Sequence, residues 1–114
     1  MAITTAYSGT ATIATTEFSL VNGSTTLANI TTAGVYQVFI DLSGMGAEDE
    51  YQIFVKEKVV SGGTQKNIYA ATVDGVQATP FVIPSLILLN GWDVTMLGAA
   101  GTSASISWSI RKVG

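Results

Sequence analysis

The stretch Val35-Tyr36-Gln37-Val38-Phe39-Ile40-Asp41-Leu42 alternates between two sets of side chains and decides the fold class. The apolar set consists of Tyr36, Val38, Ile40 and Leu42. Successive side chains of a β-strand point to opposite faces of a sheet, so a period of two predicts a strand with one buried face. We therefore expect this set to lie in a hydrophobic core.

Similar runs lie on both sides of this stretch along the chain. Residues 51–60 and 65–73 flank Ser61-Gly62-Gly63-Thr64 and predict a hairpin. Residues 105–111 alternate strictly, with Trp108 expected to point inward. Residues 81–89 are nearly all apolar, which predicts a strand buried on both faces or in an interface. The 114 residues form one domain on length alone.

About seven to nine strands at this spacing predict an all-β fold, a single antiparallel β-sandwich. Both a jelly-roll-like and an immunoglobulin-like strand order fit the pattern, because strand pairing beyond hairpins is not encoded locally. We place the sandwich at residues 17–114. Residues 1–16 are rich in Thr, Ser and Ala, and we predict a flexible N-terminal arm or a strand added to a neighbouring molecule.

The composition argues against an enzyme. The chain has no His and no Cys, which excludes a Ser-His-Asp triad, a thiol nucleophile and the usual zinc sites. The acidic run Glu48-Asp49-Glu50 lacks a calcium-loop pattern, and we interpret it as a solvated loop. We therefore predict no catalytic residue, no cofactor and no bound metal.

The charge pattern limits the partners. Charged residues make up 11% of the chain, well below the typical value of about 25%, which favours a surface covered by other proteins. The net charge is −3 and the basic residues are thinly spread, so we expect no nucleic-acid binding. The apolar run 80–89 is too short to cross a membrane, and we expect no membrane contact. The start of the chain lacks a signal-peptide pattern, which predicts synthesis in a cytoplasm.

Four blocks of the sequence resemble a group of small structural proteins encoded by tailed bacteriophages and prophages. These blocks are Gly34-Val35-Tyr36-Gln37 through Asp41-Leu42-Ser43, Tyr51 through Gln65, Pro84 through Trp92, and Ala100-Gly101-Thr102 through Arg111. The resemblance covers most of the chain after about Thr15 and carries no catalytic residue over. It implies a virion protein made in the bacterial host cytoplasm, most similar to capsid decoration or cement proteins.

Two segments would mediate contacts in such a particle. A dimer or trimer would bridge subunits of the major capsid protein or other virion proteins through many weak contacts. The self-association segment would use Phe81, Val82, Ile83, Leu86 and Leu88. The arm would contact the shell through Ile3, Tyr7 and Ile13.

Two alternatives remain open at this stage. One is a tail, fibre or head–tail connector component with the same fold. The other is a carbohydrate-binding β-sandwich module, in which aromatic side chains form a platform for sugar rings. Exposure of Trp92 or Trp108 would support this second alternative, and burial of both would weaken it.

Overall fold

The computed structural model describes residues 2–101 and 104–114, which leaves Thr102 of the fourth quoted block outside. These residues form eight β-strands and no helix. The strands are β1 (Ile3–Thr12), β2 (Phe18–Ser19), β3 (Gly34–Asp41), β4 (Glu50–Lys58), β5 (Gln65–Asp74), β6 (Phe81–Leu88), β7 (Asp93–Ala100) and β8 (Ser105–Val113).

The strands form two four-stranded antiparallel sheets. The first sheet has the order β1-β8-β3-β6, and the second has the order β2-β7-β4-β5. This order is that of a jelly roll, in which β1 lies beside β8, β2 beside β7, β3 beside β6 and β4 beside β5. The predicted all-β sandwich is confirmed, and the jelly-roll order replaces the two alternatives that the sequence left open.

The core lies between the two sheets and follows the period-two patterns. In β3 the side chains of Tyr36, Val38 and Ile40 are buried, as predicted, and Leu42 is buried just after the strand ends. The second sheet contributes an equivalent row of buried side chains: Tyr51, Ile53, Val55, Val94 and Met96. Strands β3 and β4 therefore have one buried and one outer face, whereas β7 is buried on both faces from Asp93 to Met96.

Only one face of β6 is buried, so the predicted alternative of a strand buried on both faces is wrong, and burial in an interface stays a prediction. Ile83 and Leu88 point into the core, whereas Val82 and Ile87 are exposed on the outer face. The register of β6 against β3 shifts around Pro84. Proline has no N–H for the ladder and is tolerated at bulges and edges, which fits a bulge in this edge strand.

Gly9 makes a testable contribution to packing in the first sheet. A Cβ atom at this position would lie 2.7 Å from Cζ2 of Trp108, whose indole is held by a 2.7 Å hydrogen bond from Nε1 to the Leu20 carbonyl. The buried ring has no room to retreat, so we expect Gly9→Ala to lower the free energy of unfolding by about 2 kcal/mol. Urea denaturation measures this. Gly23→Ala is a control without a steric clash, because its added Cβ meets nothing within 4 Å. Any loss of unfolding free energy in this variant arises only from the positive φ of Gly23.

Candidate functional site

The outer face of the first sheet places chemically mixed side chains side by side. The register pairs Phe39 of β3 with Ser109 of β8, and Asp41 with Ser107. Ser107 also pairs with Thr10 of β1, and their hydroxyl oxygens are 2.9 Å apart. A row of polar groups therefore crosses three strands, beside a row that contains an aromatic ring.

An open depression of about 360 Å³ lies on this face. We call it the sheet groove, and its lining consists of Phe39, Asp41, Pro80, Ser107, Trp108, Ser109 and Arg111. The lining combines apolar surface with hydroxyl, carboxylate and guanidinium groups. Sites for small polar ligands commonly have this combination, in which apolar surface provides contact and a few polar groups fix orientation.

Arg111 and Phe39 form a stacked pair in the sheet groove. The guanidinium carbon of Arg111 is 3.8 Å from the centroid of the Phe39 ring, within the range of a cation–π interaction. Nε of Arg111 donates to the Ser109 hydroxyl at 3.3 Å. This leaves the terminal amino groups without a carboxylate partner among the residues that the structure describes. The guanidinium therefore covers one face of the Phe39 ring and places its terminal N–H donors beside that ring.

Asp41 supplies the acceptor of the sheet groove. The backbone N–H of Ser43 donates to Oδ1 of Asp41 at 3.0 Å, and this bond, together with the Ser43 hydroxyl, lowers the pKa of the carboxyl group. Hydrogen bonds to the charged form favour ionisation, so Asp41 is a carboxylate at neutral pH. The groove therefore offers a strong acceptor at one end and donors at the other.

Both tryptophans lie in the core. Trp92 is 0% exposed and Trp108 is 5% exposed. Each indole N–H donates to a backbone carbonyl, that of Thr32 for Trp92 and that of Leu20 for Trp108. The structure therefore shows no sugar platform made of these two rings, and only the small exposed part of Trp108 reaches the sheet groove, beside the ring of Phe39.

The three predicted arm residues lie in different environments. Residues 3–12 form β1, which pairs with β8 in the chain's own sheet. Ile3 is exposed at the start of β1, Tyr7 is half-buried with its ring 6.0 Å from that of Trp92, and Ile13 is fully buried in the core. Their proposed contact role stays a prediction.

The five predicted self-association residues are divided between the two faces of β6. Ile83 and Leu88 are buried, Phe81 and Leu86 are partly buried against the core, and Val82 alone of the five is well exposed. A partner could reach Val82 without any change to the core. Self-association through this segment stays a prediction.

The acidic run 48–50 has a structural role in the loop that follows β3. Oδ2 of Asp49 accepts the backbone N–H of Gly46 at 2.7 Å, and the Asp49 carbonyl accepts the N–H of Gly75. Within residues 2–101 and 104–114, no group of three acidic side chains is arranged to hold a metal ion. No helix in this part of the chain is long and apolar enough to span a membrane.

Sequence reasoning assigned no role to Phe39, Asp41 or Arg111. Phe39 and Arg111 are 72 positions apart in sequence and come together only through the pairing of β3 with β8. The one available signal was the placement of Phe39 and Asp41 on the less apolar face of the decisive strand. An aromatic ring next to a carboxylate on a solvent-facing side indicates an exposed site.

No family model and no curated protein matches the chain. Among solved structures, the C-terminal family 22 carbohydrate-binding module of Clostridium thermocellum Xyn10B is similar, with 17% identity and a TM-score of 0.41. A xylan-binding domain from the same family has 18% identity and a TM-score of 0.43. Each match covers 73% of this chain and 56% of the other, so the chain spans little more than half of those structures.

These comparisons correct the predicted function. Both similar structures are carbohydrate-binding modules, and neither is a virion protein. The predicted role as a capsid decoration or cement protein is wrong by this finding.

Proposed function

We propose that this chain is a non-catalytic carbohydrate-binding module that holds a polysaccharide in the sheet groove. The observation that carries the proposal is the stacked pair of Phe39 and Arg111 beside the Asp41 carboxylate. A sugar ring has apolar C–H faces and a rim of hydroxyl groups. An aromatic face, donors and an acceptor on one open surface match both features.

The arrangement of the groove favours an extended ligand. The polar row of Thr10, Ser107 and Asp41 crosses β1, β8 and β3, and neighbouring strands in a sheet are about 4.8 Å apart. Hydroxyl groups along a polysaccharide that lies across these strands would meet a polar group at each strand. The open shape of the groove imposes no closed end on such a chain.

The groove is suited to binding rather than to hydrolysis. Glycoside hydrolysis generally uses two carboxyl groups on either side of the bond that is broken. Asp41 is the only carboxylate that lines the sheet groove, and its lowered pKa disfavours a role as a proton donor. The modules of similar fold include a xylan-binding domain, so xylan is the first polysaccharide to test.

Substitution of Phe39 tests the proposal. We expect the native protein to be retarded in gels that contain soluble xylan or another polysaccharide, and Phe39→Ala to weaken binding at least about tenfold because the stacking surface is lost. Phe54→Ala is a matched control. Phe54 is half-buried on the outer face of the second sheet, and Nζ of Lys56 lies 5.9 Å from its ring centroid.

Two results would contradict the proposal. One is that the folded native protein binds no polysaccharide in a panel of plant, fungal and bacterial glucans, xylans and mannans. The other is that Phe54→Ala weakens binding as much as Phe39→Ala does, which would place the ligand elsewhere. Circular dichroism of each variant would show that the sandwich is intact.

A further inference from the structure

One end of the sandwich gathers apolar and basic side chains on the surface. Val59 and Val60 at the tip of the β4–β5 hairpin are 77% and 63% exposed. Ile87 and Leu89 at the end of β6 are 80% and 59% exposed. The register places both groups at the same end, because the backbone N–H of Lys58 donates to the Asn90 carbonyl in the β6–β7 turn.

Two lysines flank these apolar side chains. Lys58 and Lys66 stand at the base of the hairpin, where Lys58 pairs with Gln65. The carboxylate between them, Glu57, accepts the backbone N–H groups of Leu89 and Asn90 and is thereby held within the turn. We call this set the tip surface: Lys58, Val59, Val60, Lys66, Ile87 and Leu89.

The hairpin turn holds the two valines away from the protein. The N–H of Gly63 donates to the Val60 carbonyl at 3.0 Å, and Gly62 has a φ of 81°, a conformation that favours glycine. This tight turn leaves Val59 and Val60 at the outermost part of the hairpin. Exposed apolar groups of this size with a rim of basic residues mark an interaction surface.

We infer that the tip surface docks onto anionic lipid bilayers. Lysines near a membrane are attracted by anionic headgroups, and apolar side chains gain free energy when they enter the boundary between headgroups and acyl chains. The tip surface matches both parts of that boundary. The sequence-based expectation of no membrane contact considered only spanning segments, which this mode of binding does not need.

A second copy of the chain is a less suitable partner. The opposite end of the sandwich carries the acidic residues Asp41, Glu48, Glu50 and Asp74, which would complement the lysines. Among the residues described, Val76 at 70% is the large apolar side chain exposed at that end itself, since Val82, at 41%, lies beside Phe39 on the outer face of the first sheet. Head-to-tail contact would therefore pair the charges but leave most of the four apolar side chains of the tip surface unmatched. An acidic polysaccharide would likewise pair with the lysines and leave the apolar side chains without apolar contacts.

Vesicle flotation tests the inference with the full chain. We expect the protein to float with phosphatidylcholine vesicles that contain phosphatidylserine, and to stay behind with pure phosphatidylcholine. The double variant Val59→Ser, Val60→Ser should bind about 100-fold more weakly, and Lys66→Gln about fivefold more weakly. Val76→Ser, an equally exposed valine at the opposite end, should bind like the native protein.

Three results would overturn the inference. The first is the absence of flotation with anionic vesicles, and the second is native-like flotation of the double valine variant. The third is self-association in the absence of lipid that is lost in Glu48→Gln, Asp74→Asn, which would identify a second copy as the partner. Polysaccharide binding in the sheet groove lies on a different surface and is unaffected by any of these outcomes.

Discussion

Replacement of Asp93 with alanine is expected to lower the free energy of unfolding by about 4 kcal/mol, which corresponds to a fall in Tm of roughly 15 °C. Asp93 is the first residue of β7 and is 0% exposed beneath the segment that joins β2 to β3. Its Oδ1 accepts the Ser19 hydroxyl and the Val94 N–H, and its Oδ2 accepts the Ala28 N–H, each at 2.8 Å.

The size of this effect follows from the donors that the variant leaves behind. Three buried hydrogen-bond donors lose their acceptor, and each unsatisfied buried group is unfavourable by about 1–3 kcal/mol, with incomplete additivity. Ser19 ends β2 and Ala28 lies in the segment between β2 and β3, so the anchorage of both to the second sheet is weakened too. Guanidinium denaturation of both proteins measures the difference.

Asp93→Asn is the matched control for the shape of the side chain. The amide has one acceptor oxygen, so at least one of the three donors opposes an N–H₂ group, and we expect a loss of about 2 kcal/mol. A variant as stable as the native protein would contradict the role that we give to the carboxylate.

The pH dependence of stability provides a second check on Asp93. Burial raises the pKa of Asp93, an effect that outweighs the hydrogen bonds from Ala28, Ser19 and Val94, which lower it. The folded protein therefore binds this proton more tightly than the unfolded chain does. The native protein should lose stability relative to Asp93→Asn as the pH rises through the folded-state pKa of Asp93. The lowered pKa of Asp41 acts in the opposite direction, but both proteins contain Asp41 and its contribution cancels.

Replacement of Trp92 with alanine is the second large expected effect, with a loss of about 4 kcal/mol. The Trp92 ring is fully buried, lies 4.6 Å from the ring of Tyr36 and 6.0 Å from that of Tyr7, and donates from Nε1 to the Thr32 carbonyl at 3.1 Å. These contacts connect β1, β3 and the β6–β7 turn. Alanine would leave a large cavity at this junction and remove one of the two donors to the Thr32 carbonyl, which would keep the hydrogen bond from the Tyr36 hydroxyl.

Trp92→Phe separates the structural role of this ring from binding. Phenylalanine keeps part of the aromatic packing and loses the indole hydrogen bond, so we expect a loss of about 2 kcal/mol and a folded protein at 25 °C. Its affinity for polysaccharide should equal that of the native protein. A folded Trp92→Phe protein that no longer binds polysaccharide would show that the buried ring contributes to the site, contrary to our account.

The strands could be predicted wherever one face alone is buried. The alternation in 35–42 gave β3 and its core side chains to within one residue at each end, and the hairpin of β4 and β5 follows directly from the Gly-Gly turn. The exposed face of β6 was harder to predict, because the nine residues 81–89 are nearly all apolar and the sequence does not distinguish one face from the other. The bulge around Pro84 determines which side chains of β6 face the core, and a period-two pattern does not reveal a bulge.

The residues of the sheet groove could not be predicted from the sequence, and the reason differs from that for β6. The pairs of Phe39 with Arg111 and of Asp41 with Ser107 join residues from separate strands, and sheet register is set by the packing of the whole domain. The sequence directed attention to Trp92 and Trp108 as the largest aromatic rings, yet both serve the core. The ring that lies in the sheet groove beside Arg111 is the smaller, half-buried Phe39, and Arg111 is distant in the chain. The wrong prediction of a virion role came from strand motifs that reflect packing and carry no information about the ligand.

The most direct test of the central claim is an NMR titration of the labelled protein with a soluble polysaccharide that it binds. Our account predicts that backbone amide shifts concentrate on the outer-facing residues of β3 and β8, namely Phe39, Asp41, Ser107, Ser109 and Arg111. The amides of Gln52 and Phe54 on the second sheet should stay unchanged. Shifts concentrated on the second sheet or on the β4–β5 hairpin, with β3 and β8 unaffected, would contradict the claim that the sheet groove is the binding site.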